Sequence, residues 1–82
     1  MAMGVAYQDI DLHNMTVAEA KRALDSFLNT VSPQCLEVTV IHGYNGGKAI
    51  LNMVRRDYKH RRVERKILGL NQGSTTLVLK KP

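Results

Sequence analysis

Apolar and polar residues alternate over residues 8–13, with Ile10 and Leu12 on one side and Asp9, Asp11 and His13 on the other. A period of two is that of a half-buried strand. Past Thr16 the period lengthens: Ala20, Leu24, Phe27, Leu28 and Val31 fall on one stripe, with Lys21, Arg22, Asp25 and Asn29 opposite. This predicts a helix over residues 17–31. Thr16 and Glu19 have the spacing of a capping box, and Ser32-Pro33 ends the helix because the residue before proline avoids helical geometry. Residues 36–41 are β-branched and apolar enough for a second strand. After a glycine-rich turn, Ile50, Leu51, Val54 and Tyr58 repeat at helical spacing and predict a second helix over residues 47–59. Residues 63–70 and 75–80 read as two further strands around an Asn71-Gln72-Gly73-Ser74 turn. The order βαβαββ implies an α/β (α+β) two-layer sandwich, with a mixed four-stranded sheet and two helices. A helix joins the first two strands, so they should be parallel with a right-handed crossover. Residues 1–7 are expected to be a flexible leader and residues 8–82 a single domain.

The turn between the second strand and second helix carries the first chemical signal. His42-Gly43-Tyr44-Asn45-Gly46-Gly47-Lys48 puts three glycines within five residues, next to a lysine and a helix start. Glycines let a ligand approach the backbone, and a helix N-terminus favours anions. A Walker A loop would need glycine where His42 stands and serine or threonine where Ala49 stands; a Rossmann fingerprint needs a different glycine spacing. The turn is neither, and it is equally readable as a strand-to-helix connection without a ligand.

Composition narrows the partners. The formal net charge of +5 favours a polyanion. On helical geometry Lys48, Asn52, Arg55 and Lys59 fall on one narrow stripe, thickened by Arg56, Arg61, Arg62 and Arg65. The stripe would span roughly 16 Å, enough for two or three phosphates; taken by itself it is equally a solvated face. No apolar run is long enough to span a membrane. The lone Cys35 has no internal disulfide partner and suits a reducing, cytoplasmic setting.

Parallel strands bring their C-terminal ends to one sheet edge. His13 and His42 should therefore meet beside the glycine turn, with Asp11 near enough to orient an imidazole. Imidazoles titrate at about pH 6.5, so two of them can share proton transfers at a phosphodiester. Each histidine is equally readable as a hydrogen-bonded strand-end residue. A site of Asp11, His13 and His42 could also accept a divalent metal, although its spacing matches no recognised metal motif.

Ile10-Asp11-Leu12-His13 followed by Met15-Thr16-Val17-Ala18-Glu19-Ala20 resembles the opening motif of the Smr (small MutS-related) domain family. His42-Gly43-Tyr44-Asn45-Gly46-Gly47 falls where that family has its HGxGxG loop. The resemblance covers most of the chain. It implies a fold similar to the C-terminal domain of translation initiation factor three. It also implies binding to DNA or RNA by structure rather than sequence, and in many members endonuclease activity. Asp11, His13 and His42 are then the catalytic candidates; Gly43, Tyr44, Asn45, Gly46, Gly47, Lys48, Asn52, Arg55, Arg56 and Lys59 are the nucleic-acid-binding candidates. Asn14 and Asn45 replace family glycines. The alternatives are a nucleic-acid-binding module without chemistry and a protein-interaction domain. Fusion to, or association with, repair or ribosome-associated proteins is a further implication of the resemblance.

Overall fold

Thr16 begins the first helix as its spacing requires: the Glu19 N–H donates to Thr16 Oγ1 at 3.1 Å, and the Thr16 N–H donates to Glu19 Oε1 at 2.9 Å. The two bonds satisfy donors that a helix start would otherwise leave unpaired. In the computed structural model, which describes residues 6–43, 48–69 and 71–81, this helix is α1, Val17–Thr30. It follows strand β1, Tyr7–Asp11, and precedes β2, Glu37–Ile41. Helix α2, Ala49–Asn52, continues as a π-helical segment, Met53–Asp57. Strands β3, Val63–Ile67, and β4, Ser74–Leu79, complete the domain.

The sheet order is β1-β2-β4-β3. β1 and β2 are parallel, pairing Asp11 with Ile41, and β4 runs antiparallel to both its neighbours. This is the expected mixed four-stranded sheet with two helices. The helices cover one sheet face. There Leu12, Val38, Val40, Leu77 and Leu79 meet Ala20, Leu24 and Leu28 of α1 and Met53, Val54 and Tyr58 of the second helical segment, all buried. Each such leucine contributes on the order of 1.5–3 kcal/mol by leaving water. The other sheet face is open, and Tyr7, Asp9, Asp11 and Ile41 are exposed on it.

The second helix departs from expectation. It begins at Ala49 and becomes π-helical at Met53; the Tyr58 N–H reaches back five residues to Met53 O at 2.7 Å, and Tyr58 is extended. Lys66 Nζ donates to the Tyr58 carbonyl at 2.7 Å and caps this end. The wider π turn changes which side chains share a face, with consequences at the site. β3 stops at Ile67, shorter than the run over residues 63–70, and Leu70 lies outside the described residues.

Candidate nucleic-acid interface

At the end of β1 the chain must turn sharply toward α1. Asn14 does this with φ of +67°, a left-handed conformation for which asparagine is second only to glycine. The turn lets His13 fold back on Asp11. One carboxylate oxygen of Asp11 accepts both the His13 backbone N–H, at 3.0 Å, and the ring Nδ1–H, at 2.5 Å. These bonds from His13 hold the Asp11 carboxyl below its ordinary range. With Nδ1 committed, Nε2 is the ring's remaining acceptor. Both side chains stay about half exposed. An imidazole oriented through one nitrogen, with the other open to solvent, is the arrangement a general base requires.

His42 reaches the same sheet edge and then leaves on the other side. Val38, Val40 and His42 alternate into the helix layer, whereas Asp11 and His13 belong to the open face; His42 is only 4% exposed. Its Nδ1–H donates to the Gly43 carbonyl at 3.0 Å. Its Nε2 lies 2.9 Å from Thr75 Oγ1 and, with Nδ1 the donor, accepts the Thr75 hydroxyl proton. Both ring nitrogens are thereby engaged. Against the expectation that His13 and His42 share proton transfers at this edge, His42 is buried with both ring nitrogens hydrogen-bonded, while His13 is exposed on Asp11. Strand parity carried this signal, because His42 is in step with Val38 and Val40 while His13 is out of step with Ile10 and Leu12.

Arg55 is likewise placed differently from the expected stripe. Its Nε–H donates to Thr75 Oγ1 at 2.7 Å, and its Nη2 is shared among the carbonyls of Leu68, Asn71 and Ser74 at 2.9–3.0 Å. From the π-helical segment this side chain reaches the β3–β4 connection, where the guanidinium ties together carbonyls on both sides of the turn. Thr75, which the sequence reading passed over, thus links Arg55 to His42. Lys48, Asn52, Arg56 and Lys59 remain exposed.

Gly43 has φ of +67°, and a Cβ there would stand 3.6 Å from His13 Cβ, so the two edge residues are in contact range. The N–H groups of His42 and Gly43 both donate to Gly73 O, at 3.0 and 2.9 Å. Gly43 therefore offers close approach but no free donor, contrary to the expected backbone cradle at that residue. Tyr44, Asn45, Gly46 and Gly47 lie outside the described residues. The short α-helical run Ala49–Asn52 also makes a weaker dipole than the long helix expected.

Charge divides sharply along the chain. Residues 1–43 hold two lysines and arginines against five carboxylates, and residues 44–82 hold ten against two. Among the described residues, Lys21 is the one lysine or arginine in an ion pair, with Asp25. A cleft of about 410 Å³ is lined by Arg56, Lys59, Arg65 and Lys66, with Glu64 its single carboxylate. Among the described residues no three His, Cys, Asp or Glu side chains converge as a metal site, and no helix is long and apolar enough to cross a membrane.

Comparison with known proteins agrees with this architecture. The crystal structure of the Smr domain of Thermus thermophilus MutS2 superposes with a TM-score of 0.68 at 25% identity, covering 89% of this chain and 98% of that one. A search of curated proteins yields no match. The Smr domain profile matches residues 10–75, from the strand that presents Asp11 and His13 to the threonine that holds His42. With two thirds and more of its length matched by that profile and its fold shared with an Smr structure, the chain belongs to the Smr domain family, which is associated in general with nucleic-acid binding and nuclease function.

Proposed function

We propose that this domain binds the phosphodiester backbone of DNA or RNA and cleaves it as an endonuclease. The observation that carries the reading is the Asp11–His13 pair: an exposed imidazole, oriented through Nδ1, at the edge where Gly43 allows close approach. His13 Nε2 takes the proton of the attacking hydroxyl or water, whose oxygen bonds to phosphorus as the P–O bond to the leaving oxygen breaks; the leaving oxygen takes a proton from water, and Asp11 offsets the charge the ring gains. Lys48, Asn52, Arg56 and Lys59, with the turn residues Tyr44, Asn45, Gly46 and Gly47, hold phosphates. His42 and Arg55 act behind the surface, keeping Gly43 and the β3–β4 connection in place through Thr75. Binding depends on the shape and charge of the nucleic acid rather than on its sequence, and the cytoplasm is the expected setting. Fusion to, or association with, repair or ribosome-associated proteins is part of the same reading.

A second reading, a binding module without chemistry, is favoured by one observation: both nitrogens of His42 are occupied, which leaves a single free imidazole at the edge. Incubation of labelled single-stranded RNA, supercoiled DNA and branched DNA with the wild-type domain, with and without chelator, separates the two. Cleavage that His13→Ala abolishes supports the nuclease. Salt-dependent binding without any cleavage supports the module, and loss of cleavage on chelation would assign a divalent metal to the reaction.

A further inference from the structure

At the end of the sheet away from Asp11 and His13, the turn after α1 meets the paired ends of β3 and β4. The Lys80 N–H donates to Arg62 O at 2.8 Å, extending the pairing of Val63 with Leu79 by one step. The cleft formed there, about 280 Å³, is lined by Pro33, Arg61, Arg62, Lys80 and Lys81. Its lining is four cations and a proline, with no carboxylate among the described residues. Arg62 is partly committed, donating to the Val31 and Ser32 carbonyls at 3.4 Å each, which offsets the negative end of α1. Arg61, Lys80 and Lys81 are exposed and have no ion-pair partner among the described residues.

Surfaces without a ligand normally intersperse the two signs of charge, because gathered like charges repel. Here no Asp or Glu side chain lines the cleft, although Asp57 and Glu64 are near in sequence. The gathering is also continuous with the larger basic cleft. Lys59 and His60 line that cleft and Arg61 and Arg62 line this one, so a single turn of chain presents cations to both. No aromatic side chain lines the smaller cleft, so it lacks a platform for stacking bases. Its chemistry suits phosphates and not bases.

We propose that the cleft formed by Arg61, Arg62, Lys80 and Lys81 is a second phosphate-binding site for the same nucleic acid, at the opposite end of the sheet from Asp11 and His13. It rests on the nucleic-acid-binding reading above and extends that footprint by a full strand length, roughly 17 Å. Polynucleotide held at both places has its backbone anchored on either side of the basic helix face.

The test is binding of fluorescent oligothymidine and oligouridine across a salt series. Lys80→Ala/Lys81→Ala is compared with wild type and with Lys21→Ala/Arg22→Ala, which removes equal charge from the outer face of α1. All four side chains are exposed, so the variants should keep the fold. In the cleft variant the slope of log affinity against log salt should fall by about 1.5–2 and affinity by about tenfold or more at low salt, while the α1 variant stays near wild type. An unchanged slope in the cleft variant, or an equal fall in both variants, would overturn the proposal while leaving nucleic-acid binding intact. Wild-type protein that shows no salt-dependent binding would overturn the parent reading, and this one with it.

Discussion

Arg55 Nε donates to Thr75 Oγ1 at 2.7 Å, and the same hydroxyl meets His42 Nε2 at 2.9 Å. A residue on the second helical segment, one on β4 and the histidine after β2 are thus one hydrogen-bonded chain, ending at the Gly43 carbonyl. Arg55→Ala removes the shared donor from Thr75 and from three turn carbonyls. It should cost about 2–4 kcal/mol and lower Tm by at least about 10 °C. Lys59→Ala, from an exposed position, should shift stability by less than about 0.5 kcal/mol. Thermal denaturation of the two variants, side by side, checks the contrast; equal Tm values would return Arg55 to the solvated stripe.

Cleavage should depend on the exposed pair far more than binding does. His13→Ala and Asp11→Asn should each lower the cleavage rate about 10²-fold or more, the scale of a lost general base or its orienting partner. Nucleic-acid affinity should change only a few-fold. His42→Ala should instead show its effect first in stability, because it empties a buried hydrogen-bonded position. Rates measured at saturating substrate, alongside urea midpoints, distinguish the two behaviours.

The acid limb of stability should run through Asp25. The Tyr58 hydroxyl donates to Asp25 Oδ1 at 2.6 Å and, with a smaller contribution from Lys21, holds this carboxyl below its ordinary range. Burial and the same carboxylate push the Tyr58 phenol upward, so it stays protonated as the donor. A carboxyl depressed in the folded state stabilises it above the unfolded value and ceases to as pH falls through the folded one. Stability should therefore drop below about pH 4, and Asp25→Asn should flatten that drop. Tyr58→Phe should cost about 1–2 kcal/mol at neutral pH. Urea midpoints between pH 2.5 and 7, each value being about the span needed, give both readings.

His60 adds a limb at higher pH. Its Nε2–H donates to Asn29 Oδ1 at 2.8 Å and its Nδ1 accepts the Arg62 N–H at 3.1 Å, so the folded ring is neutral, and burial lowers its pKa. The unfolded ring protonates first as pH falls. Stability should decline from about pH 6.5 downward until the folded ring also titrates. His60→Gln should remove this part of the profile while leaving the lower limb, a result readable in the same urea series.

Backbone conformation gives a last pair of variants. Asn14→Gly should be nearly neutral, since φ of +67° suits glycine, whereas Gly43→Ala should cost about 1–2 kcal/mol for the same angle. The added methyl at Gly43 has room beside His13, so the loss should come from strain rather than from a clash. Melting temperatures test both.

Much of this protein was legible in its residue order because the forces concerned are local. The alternation of Ile10 and Leu12, the helical stripe of Ala20, Leu24 and Leu28, and the Thr16–Glu19 capping box each act within a turn or two of chain. The parallel pairing of β1 and β2 followed from the helix between them, and the shared edge of His13 and His42 followed from that pairing. The burial of His42, with both ring nitrogens bonded, was not part of that expectation, because its partner Thr75 lies 33 residues away. The destination of Arg55 was not legible. Helical periodicity put it on a solvated stripe, but a π turn widened the helix, and the partners that hold the guanidinium lie 13 to 20 residues away in sequence. The carbonyls of Leu68, Asn71 and Ser74 and the Thr75 hydroxyl converge only once the sheet has formed, so no local pattern announces them as partners for the guanidinium. Local pattern therefore determined the elements and their order, while the tertiary structure decided which charged side chains face solvent and which complete the interior.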